Sequence, residues 1–175
     1  MRPDKMQVFI DLLNVTKIAV EVDPLDTTEI LKEKISEKTT LPVSDQILTI
    51  CQKGAMMELK NNSRIYLGNL VKSKTVITLS CKQNVSSFSF YIYVVTETGL
   101  VFTLRPEGGN STRIINLKEQ LSKRLSLPVE NFLLRSVDML HYVNKGLAPD
   151  NNTLEDFSVK TGAVLYVQIH PCEHK

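Results

Sequence analysis

The residues of this chain best suited to chemistry are three cysteines and three histidines, and their spacing argues against a shared site. Cys51, Cys81 and Cys172 form no Cys-x-x-Cys pair, and His141, His170 and His174 are too scattered for a zinc motif, whose ligands come in closely spaced pairs. The segment His170-Pro171-Cys172-Glu173-His174 contains ligand types, but it reads as an unstructured tail. An odd number of cysteines without pairing pattern fits reduced thiols, hence a cytoplasmic or nuclear location. Cys51 and Cys81 fall in strand-like segments and are expected as small core or near-core residues. With no glycine-rich phosphate loop and no paired-acid motif, neither catalysis nor a metal or other cofactor is expected. Gly108-Gly109 is the only diglycine; it precedes helix-capping residues and reads as loop.

Charge and apolar content exclude further classes. Twenty-one basic against 19 acidic side chains leave a formal charge of +2, too balanced for a nucleic-acid footprint. Hydrophobic residues at 42% and charged residues at 23% describe a chain that buries a core, and its apolar runs are interrupted well before the roughly 20 residues of a membrane span. Lys32, Lys34, Lys38, Lys118, Lys123 and Arg124 lie on or near expected helices and read as solvated faces with opposite-charge neighbours. Met56-Met57, placed in a loop, offers either an adaptable contact surface or core filling. Phe88, Phe90, Tyr91 and Tyr93 straddle both faces of a strand; one side is expected in the core, the other against the first domain or a partner.

The elements that position these residues occur twice. Leu41-Pro42-Val43 returns as Leu127-Pro128-Val129, and the same offset of 86 pairs Leu31 with Leu117, Lys32 with Lys118 and Glu33 with Glu119. In the first half, Val8, Ile10 and Leu12, then Ile18, Val20 and Val22, alternate with other residues as in a β-hairpin. Asp26, Thr27 and Thr28 supply N-cap chemistry, with Glu29 placed as in a capping box on Asp26; the helix carries Leu31 and Ile35 on one face and stops before Leu41-Pro42. Strands are expected over 46–51 and 75–81. The second half repeats this with a hairpin over 88–95 and 100–104, a helix capped by Ser111 or Thr112, and strands over 132–134 and 164–169. The pattern predicts an α+β fold of two β-grasp domains, each a mixed sheet with one main helix: a tail over 1–5, domains over 6–81 and 88–170, a linker over 82–87 and a tail over 171–175.

The residues also resemble a known family. Met6-Gln7-Val8-Phe9-Ile10, Val20-Glu21-Val22-Asp23-Pro24 and Lys32-Glu33-Lys34-Ile35 are similar to the first strand, second strand and helix of ubiquitin. Asn152-Thr153-Leu154-Glu155-Asp156-Phe157-Ser158-Val159 and Leu165-Tyr166-Val167 resemble its late loop and final strand. Two such domains in one chain resemble the interferon-inducible di-ubiquitin-like modifiers, the ubiquitin D group. The resemblance implies a monomeric protein that binds proteins of the ubiquitin or proteasome pathway, in a setting of innate immunity, with no nucleic-acid or membrane partner.

It also implies a buried helix lysine at Lys32 or Lys118 serving as an internal ion-pair partner. The family's apolar recognition patch aligns with Thr49 in the first half and with Arg135 and Gln168 in the second, so weak binding to ordinary ubiquitin receptors is expected. Thr49, Met56, Met57, Arg135 and Gln168 are the candidate interaction surface. The sequence ends without the diglycine of conjugated modifiers, so non-covalent action is expected; the alternatives are a regulatory module of a larger enzyme and a modifier truncated before its diglycine.

Overall fold

The computed structural model describes residues 4–61, 66–82, 90–137, 144–147 and 149–170. The chain divides into two compact units with the main boundary after residue 83. The expected linker from residue 83 onward, and Phe88, lie outside the described residues.

The first unit begins with strands β1 (Met6–Leu12) and β2 (Thr16–Val22), antiparallel from Met6 opposite Val22 to Leu12 opposite Thr16. Leu13 and Asn14 turn the chain with positive φ (53° and 60°), and the Val15 N–H donates to the Leu12 carbonyl at 3.0 Å. Asn tolerates this left-handed geometry; Leu13 pays a steric cost of about 1–2 kcal/mol for it. Helix α1 (Thr28–Thr39) follows, then β3 (Gln46–Gln52), β4 (Ala55–Glu58) and β5 (Val76–Cys81). The last strand inserts at the centre, parallel to β1 and antiparallel to β3, in the order β2-β1-β5-β3-β4.

Alternation then sorts the side chains. Val8, Ile10, Leu12, Leu48, Ile50, Ile77 and Leu79 point inward against Leu31 and Ile35 of α1, all at 2% exposure or less. Each such side chain contributes about 1.5–3 kcal/mol by leaving water. A polar member joins them: Gln46 is fully buried, and its Nε2 donates to the carbonyls of Lys32 and Leu41, both at 3.0 Å. It thereby ties α1 and the following turn to the start of β3.

The second unit has β6 (Ile92–Thr96), β7 (Val101–Leu104), α2 (Ile114–Leu125), β8 (Phe132–Val137), β9 (Asn144–Gly146) and β10 (Val164–Ile169), in the equivalent order β7-β6-β10-β8-β9. Both helices and the strands that follow them keep the offset of 86, as do the left-handed residues Thr40 and Ser126 that end the helices. Where Gln46 stands in the first unit, Phe132 stands in the second, 3% exposed. Ile92 and Val94 face the core, while Tyr93 and Val95 face the opposite side yet are only 8% and 0% exposed.

The fold is the expected pair of β-grasp domains, with four corrections. Thr27, not Asp26, caps α1, its Oγ1 accepting the Ile30 N–H at 3.4 Å; Asp26 instead accepts the Asp23 N–H at 2.9 Å and pairs with Lys34 at 2.5 Å. Neither Ser111 nor Thr112 caps α2. Its first N–H groups, of Ile114 and Ile115, donate to the carbonyls of Asn152 and Asp150, both at 2.9 Å, so a distant loop does the capping. Strands β4 and β9 are additional; β4 lacks alternation because all four of its residues are exposed. Met56 and Met57 therefore lie on an edge strand, not in a loop.

The two helix lysines diverge in the same way. Lys118 pairs with Asp150 at 2.8 Å. Lys32 is 6% exposed and makes no ion pair among the described residues. Burial, reinforced by Lys82, pushes its ammonium below the usual 10.5, with Glu58 and Glu29 offsetting this in part. Folding thus penalises the charged form; the penalty is present at neutral pH and fades as pH climbs from the depressed value toward 10.5. Lys32→Met is expected to hold or raise stability at pH 7, by up to about 1 kcal/mol, with the advantage shrinking at alkaline pH. Lys118→Met should cost about 0.5–1 kcal/mol, since the pair is partly solvated. Denaturant titrations at neutral and alkaline pH check both, and equal losses in the two variants contradict the assignment.

Candidate interaction surface

The outward positions of the first sheet are the alternate ones left after the core is filled, and cross-strand register arranges them in rows. Thr49 belongs to one such row. It stands opposite Thr78 on β5 and Glu58 on β4; Thr78 stands opposite Asp11 on β1, and Asp11 opposite Lys17 on β2. Every member is polar, with Asp11 and Lys17 of opposite sign.

The neighbouring row is apolar. Phe9 on β1 stands opposite Ala19 on β2 and Val76 on β5, and Cys51 on β3 stands opposite Met56 on β4. The β3–β5 register, continued by one residue, sets Cys51 beside Val76. Met56 is 63% exposed and Val76 43%, Cys51 is exposed, and Phe9 and Ala19 are half-buried. Met57 pairs with Ile50, so it lies on the core side of the edge strand, still 36% exposed. Of the candidates in this unit, Thr49 belongs to the polar row and Met56 to the apolar one. Phe9, Val76 and Cys51 are additions to the candidate surface, and strand parity was the signal that could have found them, since each alternates with a core residue.

In the second unit Arg135 stands opposite Tyr166 on β10 and Gly146 on β9, and Gln168 stands opposite Leu133. Arg135 and Gln168 therefore share the outward face of neighbouring strands, diagonal to each other and both half-buried. The Gln168 Oε1 is buried without a hydrogen-bond partner among the described residues. An apolar ligand placed here would leave the guanidinium and the amide desolvated.

The reactive residues separate. Cys51 is exposed, which corrects the core expectation: with Leu48 and Ile50 inward, parity turns Cys51 out. Cys81 is half-buried, and burial, with the charge of Asp45, pushes its thiol up to about 12. Cys172, His141 and His174 lie outside the described residues, and His170 is exposed at the end of β10 with its N–H donating to the Asn131 carbonyl at 2.8 Å. Among the described residues no three His, Cys, Asp or Glu side chains gather as metal ligands. Gly108 and Gly109 lie in the 3-10 turn and loop ahead of α2, Gly109 with φ 56°.

The helix cations are partly engaged. Besides its pair with Asp26, Lys34 donates to the Glu21 carbonyl at 3.2 Å, and Arg124 lies 4.6 Å from the Phe102 ring centroid while donating to the Thr103 carbonyl at 3.3 Å. No helix among the described residues is long and apolar enough to cross a membrane.

Residues 8–84 match the family model described as the Ubiquitin family. The first domain is ubiquitin-like. The matched span covers the whole of its sheet beyond the first two residues of β1, including the row through Thr49. The second domain repeats the same strand order and helix placement, so its β-grasp assignment rests on topology.

Alkylation separates the two described thiols. With its pKa near 12, Cys81 holds little thiolate at pH 8, and Cys51 is expected to react with iodoacetamide at least about tenfold faster. Peptide mapping by mass spectrometry reads each cysteine separately; comparable rates at the two sites contradict the burial of Cys81.

Proposed function

We propose that this chain is a tandem ubiquitin-like protein that acts by non-covalent protein-protein interaction in the ubiquitin or ubiquitin-like system, its two domains presenting different surfaces. The observation that carries the reading is the polar character of the outward faces where the family's apolar patch aligns. Thr49 sits in an all-polar row, and Arg135 and Gln168 share one face of the second sheet. The family match over residues 8–84 supports the setting, and the replaced patch supports clients other than ordinary ubiquitin receptors. Placement in the ubiquitin D group, a cytoplasmic or nuclear location, a monomeric state and a role in innate immunity belong to the same proposal and rest on the sequence resemblance.

A ubiquitin receptor inserts apolar side chains where this chain offers hydroxyls, a guanidinium and an amide. Each such group left desolvated costs roughly 1–3 kcal/mol, enough to remove a weak complex. Titration of the isotopically labelled chain with a helical ubiquitin-binding domain is expected to give no saturable shifts at Thr49, Arg135 or Gln168. Thr49→Ile restores apolar area at one of these positions and should strengthen receptor binding about fivefold. A saturable micromolar complex of the unmodified chain, mapped to those three residues, overturns the reading.

A further inference from the structure

The apolar row Ala19, Phe9, Val76, Cys51 and Met56 takes one residue from each of the five strands, so it crosses the sheet from edge to edge. At about 4.8 Å between strands, five residues span roughly 19 Å. A helix lying across the strands advances about 5.4 Å per turn, so one apolar side chain per turn, over some four turns, meets each strand in succession. An extended strand lying the same way advances about 6.8 Å between side chains on one face and loses step with the row.

Charge around the row is unequal. On one side runs the row Lys17, Asp11, Thr78, Thr49 and Glu58, whose charged members number one base and two acids. On the other side lie Glu21, Gln7, Lys74 and Lys53. Gln7 stands opposite Glu21, the Lys74 N–H donates to the Gln7 carbonyl at 2.6 Å, and Lys53 opens the turn from β3 to β4. Glu21 is already paired with Lys5 at 2.5 Å. Lys53 and Lys74 are exposed and form no ion pair among the described residues, which leaves this flank cationic.

From this complementarity we infer that the row binds an amphipathic helix of a partner protein, four turns long, with apolar residues at helical spacing and acidic residues along the edge that faces Lys53 and Lys74. Met56, unbranched and 63% exposed, adapts to the shape of the incoming side chain. Cys51, between Val76 and Met56 in the row, is covered when the helix is seated. The inference deepens the proposed function by naming a surface and the chemistry of its client, and it rests on that reading.

The test uses the full chain and three synthetic helical peptides: one with leucines at every third or fourth position and a glutamate edge, the same peptide with a lysine edge, and one with the leucines replaced by glutamine. The glutamate-edged peptide should bind saturably, shift the backbone resonances of Phe9, Val76, Cys51 and Met56, and slow alkylation of Cys51. Met56→Glu should weaken it at least about tenfold. Lys53→Asp combined with Lys74→Asp, which suits the positive φ at both positions, should reverse the preference between the glutamate and lysine edges. Val76→Thr keeps strand propensity and serves as a second variant should Met56→Glu perturb folding; weaker peptide binding is expected from it as well.

Equal binding of both leucine peptides, shifts confined to other residues, or a chain dimer dissolved by Met56→Glu would each overturn the inference, the last by making a second copy the occupant. The first two outcomes leave the proposed function standing and the dimer removes only its monomeric state; the non-covalent reading itself fails on a different result, receptor binding mapped to Thr49, Arg135 and Gln168.

Discussion

Parallel pairing of the first and last strands of each domain is the constraint from which the rest of the architecture follows. Phe9 to Leu12 run beside Val76 to Leu79, and Tyr93 to Thr96 beside Val164 to Val167. A parallel pair cannot be joined by a tight turn, so the intervening chain must leave the sheet and return. That detour carries the helix, which covers the inner face, and the antiparallel strands that extend the sheet beyond the central pair. Ile10, Leu12, Ile77 and Leu79 are fully buried because they sit on the inner side of this central pair.

The two domains meet that constraint with different polar solutions. The first secures the start of β3 through the buried amide of Gln46; the second buries Phe132 there and needs no hydrogen bonds at that point. The first caps its helix with the Thr27 hydroxyl, the second with the carbonyls of Asp150 and Asn152. Lys34 pairs with Asp26 in one helix and Lys118 with Asp150 in the other. What the domains share is apolar burial on a common topology. Thr49 and Arg135 lie off the inner faces that this burial fills and are free to diverge, so they stand at the same place in the repeat with unrelated chemistry.

Local pattern accounts for what could be read in advance. The period-2 alternation of Val8, Ile10 and Leu12, the helical spacing of Leu31 and Ile35, and the prolines after each helix mark elements through contacts between near neighbours in sequence. Strand β4 escaped this reading because Ala55, Met56, Met57 and Glu58 are all exposed and leave no alternation. The cap of α2 escaped because it comes from residues nearly forty positions downstream. Residue type points Cys51 toward the core, while the parity of β3 places it outside.

The candidate surface shows the same division more sharply. From its sequence alone, this chain is two hairpin-helix-strand units with an offset of 86 and polar residues where an apolar patch aligns. Periodicity and alignment are local properties that the chain carries along its length. That Ala19, Phe9, Val76, Cys51 and Met56 form one row, beside the all-polar row of Thr49, was decided only in the tertiary structure. Register between strands so far apart in the chain is set by the packing of their inner side chains against the helix, and it is the inner packing that determines which outer residues become neighbours.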